Sequence, residues 1–275
     1  MLLLIDIGNT HTHLGLSDTR GVFRQADIST STWGDGTAEK PLRRFVGRNR
    51  LDGAAVCSVM PRCTPLVRQT ALRLWNVACL ELTAKTLVGI GIDYPKPKTI
   101  GPDRLANAVA ARHFFGAPVV VVDFGTAVTF DVVNRSGNYA GGIIAPGLAA
   151  MTEYLHEKTA LLPRIKIRDI KSVIGRSTEE AMLIGALHGY RGLVRELIKE
   201  LKKELGVRRL PVVATGGYGA LMAAGLPEIT KVDPLLTLEG LRLVWQFRGG
   251  DVFVPSFPFS MRQGRDGALR RQRRV

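Results

Sequence analysis

Apolar and polar positions follow the same plan twice along this chain. Residues 2–5 (Leu-Leu-Leu-Ile) and 119–122 (Val-Val-Val-Val) are continuous apolar runs. An Asp follows each run directly. Short continuous apolar runs are typical of strands that are buried on both faces. A Gly-containing turn and a second apolar segment follow each run, which predicts a returning strand. The pattern therefore indicates a duplicated unit, one copy in each half of the chain.

The rest of the pattern predicts strands alternating with helices. In the first half it predicts strands over residues 2–7, 13–17, 22–28, 53–59 and 77–82, and helices over 37–47, 65–75 and 102–115. In the second half it predicts strands over 119–123, 127–133, 139–144 and 212–215, and helices over 146–158, 178–205 and 235–247. This order is typical of an α/β protein with a mixed sheet in each half. We place the domain boundary near Gly116, giving domains 1–116 and 117–260.

The two turns carry the chemistry that a nucleotide phosphate needs. The first is DIGNT (Asp6 to Thr10), and the second opens DFGTAVTFD (Asp123 to Asp131). Glycine lets the backbone turn tightly, so that N–H groups face an anion, while the carboxylates can hold cations. A single turn of this kind would be explained equally well by a hairpin. Two Asp residues at the ends of buried strands are costly unless cations or donors meet them, and this favours phosphoryl transfer.

Three further segments have two readings each. Asp103 and Arg104 lie in GPDR, on a Gly/Pro-rich loop that opens a helix. Asp103 is either a first-turn residue that interacts favourably with the helix dipole or a general base. Arg104 is either a surface residue or one that binds a carboxylate or phosphate through two hydrogen bonds. GGIIAPG (141–147) and the glycines of ATGGYG (214–219) are either packing turns or loops that approach a nucleotide.

Composition narrows the function classes. Of the 275 residues, 45% are hydrophobic and 23% are charged. No apolar run approaches the roughly 20 residues that a membrane-spanning helix needs. The three cysteines are odd in number, which favours reduced thiols in a cytoplasmic protein. The formal net charge is +14, but residues 261–275 hold six Arg and one Asp, so we interpret them as a basic disordered tail rather than a nucleic-acid site. No Walker loop and no protein-kinase catalytic loop is present, and His11 and His13 lack a third metal ligand.

The ordered set DIGNT, YPKPKTIGPDRLAN, DFGTAVTFD, GGIIAPG and GRSTEEA resembles the type III pantothenate kinases, within the acetate and sugar kinase/Hsp70/actin superfamily. The resemblance covers about residues 1–250. It implies two duplicated actin-like (ribonuclease H-like) domains with ATP between them, phosphorylation of pantothenate as the first step towards coenzyme A, and a homodimer. It also implies Mg²⁺ and a monovalent cation, K⁺ or NH₄⁺, as cofactors.

The same resemblance implies roles for individual residues. Asp103 would be the proton acceptor, Asp123 would hold the monovalent cation, and Asp6 would lie near the magnesium ion. The residues implied to bind ATP are Asp6, Ile7, Gly8, Asn9, Thr10, His11, Thr12, His13 and Thr126. Those implied to bind pantothenate are Tyr94, Gly101, Pro102, Asp103, Arg104 and Thr178, the last across a dimer interface.

The sequence departs from the family pattern in three places. Pro102 stands where Ala is common, His11 and His13 are not typical after Asn-Thr, and the Arg-rich end lies beyond the family core. Two alternatives stay open at this point. One is a kinase of the same superfamily that acts on another small alcohol, and the other is a regulatory or nucleic-acid-binding protein that keeps the fold.

Overall fold

The computed structural model describes residues 1–249. The predicted basic tail, 261–275, and the last residues of the predicted second domain lie outside the described residues. Within the described part of the chain, no helix is both long enough and apolar enough to cross a bilayer.

The first half forms a mixed five-stranded sheet in the order β3-β2-β1-β4-β5. Strands β1, β2 and β3 are antiparallel neighbours, whereas β4 and β5 run parallel to β1. The strands are β1 (Leu2–Ile7), β2 (His11–Ser17), β3 (Val22–Ser29), β4 (Gly53–Ser58) and β5 (Cys79–Glu81).

The second sheet repeats this order and these directions, with one strand added at its edge. Its order is β11-β10-β7-β8-β9-β6, so that β7 to β11 take the places of β1 to β5. The strands are β6 (Gly91–Ile92), β7 (Val119–Phe124), β8 (Ala127–Val133), β9 (Asn138–Pro146), β10 (Val212–Thr215) and β11 (Lys231–Val232). The predicted duplication of one α/β unit is thus confirmed.

Helices cover the sheets and fill the space between them. They are α1 (Ser31–Gly34), α2 (Glu39–Val46), α3 (Thr64–Trp75), α4 (Pro102–Phe115), α5 (Leu148–Lys158), α6 (Thr178–Glu204), α7 (Gly219–Ala223) and α8 (Leu236–Phe247). Buried residues of α4 and α8 share one apolar core with residues of β1 and β7, one from each sheet. The outer faces pack separately, against α2 and α3 in the first half and against α6 in the second. The central helices therefore join the two halves.

Two elements cross the predicted boundary at Gly116, which falls in the loop after α4. β6 precedes that boundary, yet it pairs in parallel with β9 of the second sheet. α8 follows it, yet Leu238 contributes to the core around Leu2 and Leu4 of the first sheet. A strand of two residues has no measurable hydrophobic period, and the period of α8 indicates a helix but not the sheet on which it packs. The sequence therefore predicts neither crossing.

Candidate active site

The first phosphate-type turn is short and tight. β1 ends at Ile7, and the Gly8 N–H donates to the His11 carbonyl over 2.9 Å. β2 begins at His11, two residues earlier than the sequence pattern predicts. The Thr30 hydroxyl donates to the Gly8 carbonyl over 2.9 Å and its amide to the Thr10 carbonyl, which fixes the turn from the side. Asn9, Thr10 and His11 remain exposed at its tip.

Two residues of the predicted ATP-binding segment point into the core instead. Ile7 and Thr12 have no exposed surface. The Thr12 hydroxyl accepts from Trp33 Nε1 at 3.1 Å and lies 3.1 Å from the Thr30 hydroxyl. Side chains placed in this way hold the turn together, while the backbone and the exposed residues of the turn face outwards.

Asp6 lies at the end of β1, where it is flanked on both sides by polar partners. It is opposite His13 on β2 and opposite Cys57 on β4, whose thiol donates to Asp6 Oδ1 over 3.2 Å. His13 Nδ1 in turn lies 2.7 Å from Asp27 Oδ1. Burial and then the negative charge of Asp103 raise the pKa of Asp6 to about 7, although His13 and Cys57 lower it.

The second turn also follows a buried strand but is one residue shorter than the first, and it is held by the segment at the end of β9. The Gly125 N–H donates to the Ala127 carbonyl over 3.1 Å, and the Gly147 N–H donates to the Thr126 carbonyl over 3.1 Å. A Cβ at position 147 would come within 2.2 Å of the Thr126 carbonyl oxygen. GGIIAPG is therefore a close-packing segment against this turn. Its Pro146 ends β9, and the predicted helix begins at Leu148 rather than at Pro146.

The glycines of ATGGYG approach Asp123 from the other side. Gly216 has a φ of +82°, and a Cβ there would lie 2.4 Å from Asp123 Oδ1. The Tyr218 N–H donates to the Phe124 carbonyl over 3.2 Å. The Asp123 carboxylate and the Phe124 backbone can therefore pack against Gly216 only because residue 216 has no side chain.

Asp123 is oriented by two residues that the sequence did not single out. Asn107 Nδ2, on α4, donates to Asp123 Oδ2 over 3.4 Å, while Asn107 Oδ1 accepts from the Thr237 hydroxyl of α8 at 2.7 Å. Asn107 is 1% exposed, so its amide has little freedom to turn. Burial and then the charge of Asp103 raise the pKa of Asp123 to about 6.

Asp103 lies in the first turn of α4, and its charge acts on both Asp6 and Asp123. Gly101 is the N-cap residue, without a side-chain cap, and Pro102 occupies the first helical position. Asp103 Oδ1 accepts from the Arg104 N–H at 2.9 Å. Burial raises the pKa of Asp103, and the charge of Asp103 raises the pKa values of Asp6 and Asp123. The three carboxylates therefore lie close enough to act on one another.

Arg104 and Tyr94 both lie beside the ring of the buried Tyr139. The Arg104 guanidinium lies 5.9 Å from the centroid of the Tyr139 ring, and the Tyr94 and Tyr139 ring centroids are 6.2 Å apart. Arg104 also pairs with Asp131 on β8, at 2.6 Å. Two residues predicted to bind one substrate are thus brought together. Tyr139 and Asp131, which join them, were not predicted as site residues.

Thr178 and Thr126 are exposed. Thr178 is the first residue of α6, just after the N-cap Ser177, whose hydroxyl accepts from the Glu180 N–H at 3.2 Å, as the capping pattern predicts. No hydrogen bond among the described residues joins the Thr178 side chain to the other predicted site residues.

The described residues of the candidate site do not form a complete metal-binding site by themselves. Among residues 1–249 no group of three or more His, Cys, Asp or Glu side chains could hold an ion by itself. Mg²⁺ in phosphoryl-transfer sites commonly takes only one or two carboxylates and completes its shell with phosphate oxygens and water. Asp6 fits that use, because burial and the charge of Asp103 raise its pKa and a cation would offset both effects.

Two Asp-Gly turns from equivalent positions of a duplicated fold, with a third carboxylate between them, define a kinase of the actin-like class that uses ATP. The chain belongs to the type III pantothenate kinase family, whose family model matches residues 2–200.

Relatives agree over most of the chain. It is 48% identical to the type III pantothenate kinase of Akkermansia muciniphila, over 88% of this chain and 96% of that protein. It is 40% identical to the type III pantothenate kinase of Methylacidiphilum infernorum, over 94% and 98%.

Among solved structures, a Baf family protein from Campylobacter jejuni matches with a TM-score of 0.57 and 19% identity, over 90% of this chain and 99% of that one. The ethanolamine utilization protein EutJ from Carboxydothermus hydrogenoformans matches with a TM-score of 0.53 and 15% identity, over 88% and 89%. At these identities the two structures support the fold alone.

Proposed function

We propose that this chain transfers the γ-phosphoryl group of ATP to the primary hydroxyl of pantothenate, with Asp103 as the general base. The observations that carry the proposal are that Asp6 and Asp123 stand at equivalent positions of the two sheets and that the charge of Asp103, on a helix packed between the sheets, acts on both. Membership of the type III pantothenate kinase family supports the choice of acceptor.

Asp103 has the properties that a base in this reaction needs. Its Oδ1 accepts from the Arg104 N–H, and Oδ2 makes no hydrogen bond to the described residues, so one oxygen is available for a substrate hydroxyl. Burial raises the pKa of Asp103, which strengthens the carboxylate as a proton acceptor. Since Arg104 follows directly, the base and a cation for the acceptor's carboxylate come from one helical turn.

The two turns supply the electrostatic part of catalysis. Exposed backbone around Gly8 to Thr10 and around Gly125 to Thr126 would face the phosphates, with Thr126 contacting ATP. Charge on the transferred group is stabilised by such fixed donors and by Mg²⁺, whose shell Asp6 would join. His13, whose Nδ1 lies 2.7 Å from Asp27 Oδ1, adds a polar side chain opposite Asp6.

We propose that Asp123 holds a monovalent cation. Its Oδ1 makes no hydrogen bond within residues 1–249, and it lies in the space left by Gly216. A large, weakly hydrated ion suits a carboxylate and neighbouring backbone oxygens better than Mg²⁺ does, because Mg²⁺ requires tight octahedral geometry and keeps its waters.

We further propose a cytoplasmic homodimer in which Thr178 contacts the acceptor bound to the other subunit. Val173 and Ile174, a few residues before Thr178, are 69% and 75% exposed, as expected for apolar side chains covered by a second copy. Light scattering during size-exclusion chromatography tests the dimer, and Thr178→Ala mixed with inactive Asp103→Asn subunits tests the shared site.

Labelled phosphate transfer tests the function. With [γ-³²P]ATP and Mg²⁺, label should appear in pantothenate and not in a panel of sugars and other small alcohols. Transfer to a panel member instead would establish a different kinase of the same superfamily. No transfer to any acceptor, combined with salt-dependent binding of nucleic acid, would favour the regulatory alternative.

A further inference from the structure

Arg104 is held along one edge and one face by β8 and β9. Its Nε donates to Asp131 Oδ1 over 2.6 Å, and its Nη2 donates to the Phe130 carbonyl over 2.9 Å. The guanidinium carbon lies over the Tyr139 ring. These contacts leave the guanidinium plane very little freedom to rotate.

The contacts leave the other edge of the guanidinium available. Arginine has five N–H donors, one on Nε and two on each terminal nitrogen. One on Nε and one on Nη2 are used, and Nη1 makes no hydrogen bond to the described residues. The Arg104 side chain is 14% exposed, so part of it still faces solvent. A carboxylate bound end-on by Nη1 and Nη2 would make the paired hydrogen bonds that arginine favours.

We propose that Asp131 is a positioning residue for the acceptor: it fixes the Arg104 guanidinium so that its end-on edge receives the acceptor's carboxylate. The inference rests on the proposed function, in which Arg104 binds pantothenate.

The fold by itself does not account for this pair. Asp131 is completely buried, and its Oδ2 has no hydrogen-bond partner among the described residues. Buried ion pairs are often no more stabilising than apolar residues of the same size. A Cβ at Gly142 would lie 1.6 Å from the Phe130 carbonyl oxygen and 2.6 Å from Arg104 Nη2, so glycine at this position serves both the strand pairing and the guanidinium. An orienting role explains the buried charge.

A double-mutant cycle in the full-length protein tests the proposal. Steady-state KM values for pantothenate and for ATP are measured for the parent, Asp131→Asn, Arg104→Met and the double variant. Asp131→Asn keeps the size of the side chain but lacks the charge. We expect it to raise KM for pantothenate about 10-fold to 100-fold, the range for a lost hydrogen bond to a charged group, with KM for ATP unchanged. The double variant should match Arg104→Met within about twofold, since Asp131 acts through Arg104.

A buried pair elsewhere in the protein provides the control. The side chains of Arg242 and Glu239 on α8 are 5% and 12% exposed. Neither belongs to the proposed site. Glu239→Gln should lower the melting temperature and leave KM for pantothenate unchanged.

Each outcome bears on one claim. If Arg104→Met leaves KM for pantothenate unchanged, the proposed role of Arg104 is wrong. If Arg104→Met raises it and Asp131→Asn does not, or if the two effects multiply in the double variant, the positioning role of Asp131 is wrong. Should Asp131→Asn not fold, Asp131→Ser replaces it in the same cycle. Failure of both to fold while Arg104→Met folds would show that Asp131 serves the fold independently of Arg104, and would overturn the proposal.

Discussion

Asp6 and Asp123 illustrate, at the scale of single residues, how burial disfavours the charged form of a carboxylate. Each carboxylate ends a strand that is otherwise apolar and buried. Burial raises their pKa values to about 7 and about 6, which means that the charged forms are disfavoured in the protein alone. A bound cation reverses that preference, because opposite charge favours the ionised form.

The response to potassium tests the role of Asp123. Asp123→Ala should abolish activation by K⁺ or NH₄⁺ and weaken the use of ATP, because the ion would help neutralise phosphate charge and fix the second turn. Rates are measured with Mg²⁺ while KCl is titrated against tetramethylammonium chloride at constant ionic strength. Full activity of the parent without K⁺ and NH₄⁺ would contradict the cation site and leave Asp123 as a structural turn residue.

The sequence singled out three candidate aspartates but not the residues that the structure places around them. Asp6 and Asp123 are visible because each follows an apolar run, and Asp103 because it lies in the Gly/Pro-rich segment GPDR. Asn107, Thr237 and Tyr139 occupy ordinary positions on helices and a strand. Their roles depend on contacts between distant segments, such as the bond between Thr237 and Asn107. Asp131 lies inside DFGTAVTFD, but alternation along a strand does not reveal which buried Asp has an arginine opposite it.

Elements with strong periodicity were predicted well, and the exceptions are short. The predicted helices over 65–75, 102–115 and 178–205 agree with α3, α4 and α6 within a residue at either end. The sequence did not predict α1, α7, β6 or β11, which have two to five residues. Elements of that length have no measurable period and are set by neighbouring segments.

The crossing of α4 and α8 is the contact between elements on which the site most depends. α4 carries Asp103, Arg104 and Asn107, and α8 carries Thr237. A Cβ on Gly240 of α8 would lie 2.0 Å from the Ala106 carbonyl oxygen of α4. The two helices therefore approach backbone to backbone, and any side chain at position 240 must push them apart.

Gly240→Ala should therefore lower both stability and activity. Overpacking typically costs about 1–3 kcal/mol, and roughly 2–4 °C of Tm is lost per kcal/mol in chains of about this size. kcat should fall as well, because α4 would move relative to the two turns. Thermal melting and steady-state rates measure the two effects.

Gly185→Ala provides the matched control for that substitution. Gly185 lies inside α6, and a Cβ there would meet no atom within 4 Å. Alanine in a helix interior is favoured over glycine by roughly 0.5–1 kcal/mol, so Tm should stay the same or rise. Equal loss of stability in both variants would show that the α4–α8 crossing is not specially tight.

At the scale of the whole molecule, the buried carboxylates should make the ligand-free protein less stable as pH rises. The pKa of Asp6 is raised to about 7 and that of Asp123 to about 6, from an ordinary value of 3.8. Between these limits the folded chain holds more protons than the unfolded chain, so stability present at acid pH is lost as pH rises towards 7.

Thermal melting without ligands should therefore give a Tm several degrees lower at about pH 8 than at about pH 5.5. Asp6→Asn, which has no proton to lose there, should show a smaller change. Below about pH 4 the trend should reverse, since exposed carboxylates with lowered pKa values, Asp18 and Glu39 among them, then become protonated. A Tm that rises steadily from pH 5.5 to 8 would contradict the raised pKa values.

The three carboxylates of the proposed site come from different parts of the fold. Asp6 comes from the first sheet, Asp123 from the second, and Asp103 from the helix packed between the sheets. The central claim is that Asp103 accepts the proton of the attacking hydroxyl while the two turns hold the nucleotide. Its alternative role, a first-turn charge on α4, would affect stability without affecting the chemical step.

The rate of phosphoryl transfer by Asp103→Asn, measured beside its affinity for MgATP, separates these roles. The amide keeps the shape of the side chain but cannot accept the proton, so kcat should fall by about 10²–10⁴. The dissociation constant for MgATP and the melting temperature should stay close to those of the parent. Turnover within a factor of about two of the parent, with folding intact, would show that Asp103 is not the base and would contradict the mechanism.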